Sequence, residues 1–97
     1  MRRTTVGDVL ADADDLDDEL IMFVPESGEV GLATPALLVS FEEYERGVDG
    51  HRYLLEVENI KEAIDVWSLW RDGRAPTPDD RLAAVMYYAT NDAFMPT

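Results

Sequence analysis

Two unbroken apolar runs stand out in the hydropathy pattern. Leu20-Ile21-Met22-Phe23-Val24, closed by Pro25, and Ala36-Leu37-Leu38-Val39-Ser40-Phe41, opened by Pro35, each predict a strand. Runs without a polar alternate imply strands covered on both faces. The link from Glu26 to Thr34 contains Gly28 and Gly31 and predicts an irregular hairpin loop. A third segment, Tyr53 to Glu58, alternates instead. Tyr53, Leu55 and Val57 fall on one side, with Arg52, Leu54, Glu56 and Glu58 on the other. That is the pattern of a strand with one wet face, entered through a turn at Asp49-Gly50.

The remaining periodicity is helical. Thr4-Thr5-Val6-Gly7-Asp8 reads as a helix entry, with a Thr hydroxyl to cap free N–H groups and an acid in the positive first turn. Val6, Val9, Leu10 and Ala13 share one face, and Asp8, Asp12 and Asp15 share the other. Asn59, with Glu62 three residues on, predicts a capping box opening a second helix that Gly73 stops. Its apolar positions, Ile60, Ala63, Ile64, Val66, Trp67, Leu69 and Trp70, span an arc of about 220°, far wider than an ordinary surface helix needs. This helix is either sandwiched between sheet and helix or turns one flank to a partner. After the connector Arg74-Ala75-Pro76, Thr77-Pro78-Asp79-Asp80 gives a cap, an N1 proline and first-turn acids. Leu82, Val85, Met86, Ala89 and Ala93 then form a core face, with Tyr87 and Phe94 projecting away.

The order helix, three strands, two helices predicts a small single α+β domain over residues 1–97, built on a mainly antiparallel meander. Parallel pairing lacks the crossover helices it needs. Covering both sheet faces requires the helices to be distributed, or part of the cover to come from another chain.

Composition narrows the class. At 46% hydrophobic residues the chain can build a core. A domain of this length is expected to have a radius of gyration of about 12–13 Å. Without cysteine there is no disulfide framework, thiol nucleophile or thiolate metal site. Arg2 and Arg3 are followed by acids where a signal peptide would be apolar, and no run is long enough to span a bilayer. A soluble cytoplasmic protein is therefore expected.

Charge changes the picture most. The net value is −13, but residues 4–49 hold thirteen acids and one base. The acids cluster at Asp8, Asp12, Asp14, Asp15, Asp17, Asp18 and Glu19, then at Glu42, Glu43, Glu45 and Asp49. Such a field repels nucleic acid and anionic membranes, so neither is an expected partner. Thirteen excess charges match those on roughly 22 Å of duplex DNA, which suits the surface to a basic receptor.

Catalytic chemistry finds little to use. His51, the only histidine, sits in the turn region, and Ser27, Ser40 and Ser68 lie in no nucleophile setting. There is no Gly-rich phosphate loop and no paired histidines, and no cofactor is implied. A calcium-loop register starting at Asp15 puts Leu20 where glycine is required.

Thr5-Val6-Gly7-Asp8-Val9-Leu10, Arg52-Tyr53-Leu54-Leu55-Glu56-Val57 and Tyr87-Tyr88-Ala89-Thr90-Asn91-Asp92-Ala93-Phe94 resemble a family of small uncharacterised bacterial domain proteins. In size and acidity the chain is also similar to toxin-neutralising immunity proteins and to nucleic-acid-mimicking inhibitors such as anti-CRISPR proteins. That second likeness is compositional and assigns no residue a role.

These readings converge on a non-enzymatic inhibitor or immunity-type protein that occludes a basic surface of a nuclease or other toxin. Asp8, Asp12, Asp14, Asp15, Asp17 and Asp18 would supply the field, Glu42, Glu43 and Glu45 a second patch, and Trp70 and Tyr87 the apolar anchors. The alternatives are a nucleic-acid mimic that blocks a CRISPR effector or another nucleic-acid-binding protein, and a self-assembling module that forms a homodimer.

Overall fold

Thr5 ends one element and begins the next. The computed structural model describes residues 1–96. In it β1 (Arg2–Thr5) runs directly into α1 (Val6–Ala11), whose N-cap Thr5 accepts a hydrogen bond from the Asp8 N–H at 3.2 Å. A 3-10 turn (Ala13–Asp15) follows, then β2 (Ile21–Pro25), β3 (Pro35–Val39), α2 (Phe41–Glu45), β4 (His51–Glu56), α3 (Val57–Leu69) and α4 (Pro78–Asn91).

The fold is α+β as expected, but the sheet has four strands in the order β1-β3-β2-β4, every neighbouring pair antiparallel. The added strand is β1, a polar four-residue edge in which Arg3 pairs with Leu37. The sheet is also not a simple meander. β2 and β3 form the central hairpin, and β1 and β4 flank it across connections that each skip a strand. The hairpin loop does more than turn. It supplies Leu32 and Thr34 carbonyls to the first N–H groups of α1, Gly7 donating to Leu32 at 2.8 Å and Val6 to Thr34 at 2.9 Å. A Cβ on Gly7 would sit 3.0 Å from the Leu32 oxygen, so this close approach favours glycine.

Four further expectations are corrected. Phe41 leaves the sheet to open α2, because Ser40 and Glu43 form a capping box there. The strand into α3 ends at Glu56, where the Val57 N–H turns to the Leu20 carbonyl at 2.9 Å, so Asn59 lies inside the helix rather than at its cap. Along β4 the strict alternation breaks, since Met22 pairs with Leu55 and Phe23 with Tyr53, leaving Leu54 as a bulge. Leu54 and Leu55 are therefore both buried, while Tyr53 faces the other way. At the C-terminal end, α4 stops at Asn91 with Asp92 in the left-handed region (φ 51°), which puts the expected core residue Ala93 outside the helix and exposed.

One face of the sheet carries the main core. Met22, Val24, Leu38 and Leu55 meet Val6, Val9 and Leu10 of α1, Ile60 and Ile64 of α3, and Val85 of α4. The other face is smaller, with Ile21, Phe23 and Val39 buried beneath Leu37, Val48 and α2. The wide apolar arc of α3 is therefore only partly sandwiched. Ile60, Ala63, Ile64 and Trp67 are buried, but Leu69 and Trp70 remain exposed. The radius of gyration is 12.9 Å and the domain is elongated, 42 × 26 × 22 Å. Among the described residues no helix is long and apolar enough to cross a membrane.

Candidate functional site

The acidic segment after α1 is held by small apolar anchors. Ala13 and Leu16 are buried, which forces Asp12, Asp14, Asp15, Asp17, Asp18 and Glu19 outward. Lys61 of α3 fixes the far end, its Nζ donating to the Leu16 carbonyl and to Asp18 Oδ1, each at 2.6 Å. Asp17 Oδ1 accepts from the Glu19 N–H at 2.9 Å. Asp18 is thus neutralised on the α3 side, while Asp17 and Glu19 line a groove on the other.

The opposite wall of that groove is α2. Ser40 caps it, accepting from the Glu43 N–H at 3.3 Å while its own N–H donates to Glu43 Oε1 at 3.1 Å. The chain's N-terminal ammonium group pairs with the same carboxylate. That hydrogen bond first, and the Ser40 backbone bond second, hold the Glu43 carboxyl below its usual range. Glu43 is therefore occupied in local structure. Its neighbour Glu42 makes no side-chain hydrogen bond or ion pair among the described residues and faces the groove.

The groove encloses about 310 Å³ between Asp17, Glu19 and Leu20 on one side and Ser40, Phe41 and Glu42 on the other. Two acidic clusters separated in sequence by more than twenty residues therefore meet at one surface. The only ion pairs among the described residues are Glu43 with the N-terminus and Asp18 with Lys61. Asp8, Asp12, Asp14, Asp15 and Glu45 are exposed but do not line the groove.

Aromatic side chains extend this surface. Phe41 is 48% exposed, Tyr44 45% and Tyr53 43%. Tyr44 and Tyr53 pack against each other and on Phe23, with ring centroids 5.8–6.0 Å apart. Burial, then a 3.0 Å hydrogen bond donated to Glu56 Oε1, push the Tyr53 phenol up to about 12, so the ring stays neutral. Sequence periodicity passed over all three aromatics as anchors, and Glu19 as a groove residue. The usable signal was the Ser40-x-x-Glu43 spacing, which announces a helix where the apolar run suggested strand.

The anchors expected from sequence lie elsewhere. Trp70, at the end of α3, is 47% exposed and meets Phe94 edge-on at 6.1 Å, next to Leu69 at 73%. The rim there is basic. Arg71 and Arg74 place their guanidinium carbons 4.5 and 4.9 Å from the Trp67 ring centroid, and Arg71 also donates to the Trp67 and Pro96 carbonyls. Tyr87 is half-buried on α4. Neither residue borders the acidic groove.

His51, Ser40 and Ser68, singled out in the sequence, have local structural partners. His51 opens β4, its Nδ1 2.8 Å from the Asp49 carbonyl oxygen. Ser40 caps α2, and Ser68 Oγ donates to the Arg74 carbonyl at 2.9 Å. The calcium-loop register runs through extended β2, and among the described residues no group of three His, Asp or Glu side chains is placed to hold a metal ion.

A family model described as a domain of unknown function (DUF7716) matches residues 3–97. No curated protein and no solved structure matches the chain.

Proposed function

The chain belongs to that family of unknown function, and from this premise we propose that it is a non-enzymatic binding protein that occludes a basic surface of a protein partner, of the nuclease or toxin kind. The observation that carries this reading is the meeting of Asp17 and Glu19 with Glu42 across one groove, their carboxylates without cationic partners among the described residues. Like charges brought together raise the local potential and cost stability unless something opposite arrives. The exposed acids at Asp8, Asp12, Asp14 and Asp15 extend the field over α1 and the 3-10 turn. Such a field speeds encounter and selects for sign, while apolar contacts hold the complex.

The test is affinity capture from source-cell extract, run in parallel with a variant carrying Asp17→Asn, Glu19→Gln and Glu42→Gln. A basic protein retained by the native chain, released by salt and not captured by the variant is the expected outcome. Capture that is indifferent to salt and to the three substitutions would contradict the reading. Adding duplex DNA to the complex then separates direct occlusion from nucleic-acid mimicry, because a mimic is displaced by nucleic acid.

A further inference from the structure

Of the exposed large hydrophobic side chains, three crowd one side of the molecule: Phe41 and Tyr44 on α2 and Tyr53 on β4. Phe41 and Tyr44 stand three residues apart and so lie on neighbouring positions of one helical turn. Tyr44 touches Tyr53 with ring centroids 6.0 Å apart. Carboxylates border the strip, with Asp17, Glu19 and Glu42 in the groove beside Phe41, and Glu56 holding the Tyr53 hydroxyl. The acidic rim of this exposed aromatic strip repels anionic occupants and attracts cationic ones.

We infer that this strip and groove receive arginine side chains of the basic partner, with Phe41 as the stacking face and Asp17, Glu19 and Glu42 as the acceptors. This inference rests on the proposed function and assigns the chemistry of its contact. A guanidinium is planar, stacks on an aromatic ring and offers paired donors to a carboxylate at the same time. Lysine's compact ammonium satisfies the carboxylates but gains less from the ring and holds its hydration more tightly. The aromatic edge beside the acids is therefore a device for preferring arginine over lysine, which charge alone does not distinguish. The second exposed patch, Leu69 and Trp70, carries Arg71 and Arg74 on its rim and does not suit the same occupant.

Two short Gly/Ser peptides, one carrying two arginines and one two lysines, serve as probes in an NMR titration of the full chain at low salt. The arginine peptide is expected to bind about two- to fivefold more tightly, the gain of an exposed cation–π contact. Amide shifts are expected at residues 17–20, 40–45 and 53. Phe41→Ala should shrink the arginine preference to the part owed to paired carboxylate hydrogen bonds, and an undiminished preference overturns the role of Phe41. Glu42→Gln, which keeps the side-chain shape, should weaken both peptides alike and serves if Phe41→Ala disturbs α2. Equal affinities in the native chain, or shifts centred on 69–74, overturn the inference. If that happens while a captured basic partner still binds in a salt-dependent way, the arginine assignment alone has failed. If no basic partner binds either, the functional reading has failed with it.

Discussion

The two faces of the sheet are built to different standards. On the helix-covered face, Leu38 and Met22 sit in a closed layer between β-strands and three helices, with Val6, Leu10, Ile60 and Val85 fully enclosed. On the other face, the buried residues among those described are Ile21, Phe23 and Val39, covered by Leu37, Val48, Tyr44 of the five-residue α2 and Tyr53. The first face is closed where its helices meet the sheet, and its exposed apolar residues, Leu69 and Trp70, lie at the far end of α3. The second leaves Phe41, Tyr44 and Tyr53 close to half exposed and places Asp17, Glu19 and Glu42 beside Phe41. In the proposed reading, stability and contact are divided between opposite sides of one four-stranded sheet.

Adjacent residues of β3 give the sharpest way to break this comparison, because they point to opposite faces. Leu38→Ala should cost about 3 kcal/mol, as truncation in a closed core does, whereas half-buried Leu37→Ala should cost about 1 kcal/mol. Urea denaturation of the two variants measures the difference. Equal costs would mean that the second face is as closed as the first.

The two capping boxes come next in size. Thr77→Ala removes the cap of α4, where Thr77 Oγ1 accepts from the Asp80 N–H at 3.1 Å, and Ser40→Ala removes that of α2. Each should cost about 1 kcal/mol. The distinction lies in where the loss appears. Hydrogen exchange should rise along α4 for the first variant, but only across residues 41–45 for the second, leaving the helix-covered face protected.

Titration probes the open face from both ends of the pH range. Glu43 and Asp80 are both held below the usual carboxylate range, Glu43 chiefly by the N-terminal ammonium group and Asp80 chiefly by the Thr77 backbone N–H. A lowered pKa means that their stabilisation is present above the unfolded value and is lost as pH falls through the folded one. Tyr53 has the opposite sign. Its raised value keeps its contribution intact below the ordinary value of 10, and that contribution fades as pH rises toward about 12. Thermal melts across both ranges should therefore show an acid limb softened by Glu43→Gln and an alkaline limb softened by Tyr53→Phe. Identical limbs in native and variant chains would remove these groups from the account.

Much of the helix-covered face was legible in the sequence. Val6, Val9 and Leu10 on one stripe, Ile60, Ile64 and Trp67 on another, and the two apolar runs announce the core directly. What escaped was short or polar. β1 is an edge strand of Arg2, Arg3, Thr4 and Thr5, a composition that discourages edge pairing and carries no apolar periodicity. α2 continued the apolar run through Phe41, and the bulge at Leu54 reversed the side on which Tyr53 emerges. The acids were legible as a list but not as a surface. Only the fold sorts them, tying Asp18 to Lys61 and Glu43 to the N-terminus while leaving Asp17, Glu19 and Glu42 around one groove. The same fold sets Trp70 and Tyr87 away from the acidic groove and places Phe41 in its lining.

The smallest stability effect expected belongs to the groove itself. The combined Asp17→Asn, Glu19→Gln and Glu42→Gln variant should be within about 0.5 kcal/mol of the native chain, as exposed substitutions usually are. Added salt should raise the native chain's melting temperature by screening its acids. A substantially destabilised variant would make these acids part of the scaffold rather than of a contact surface.

The most direct measurement is amide hydrogen exchange on the chain alone and in complex with the basic partner it captures. Slowed exchange is predicted at residues 17–20, 40–45 and 51–54, with the helix-covered face unchanged. Protection confined to the end of α3 around Leu69 and Trp70, with the groove still open to exchange, would contradict the assignment of the open sheet face as the docking surface.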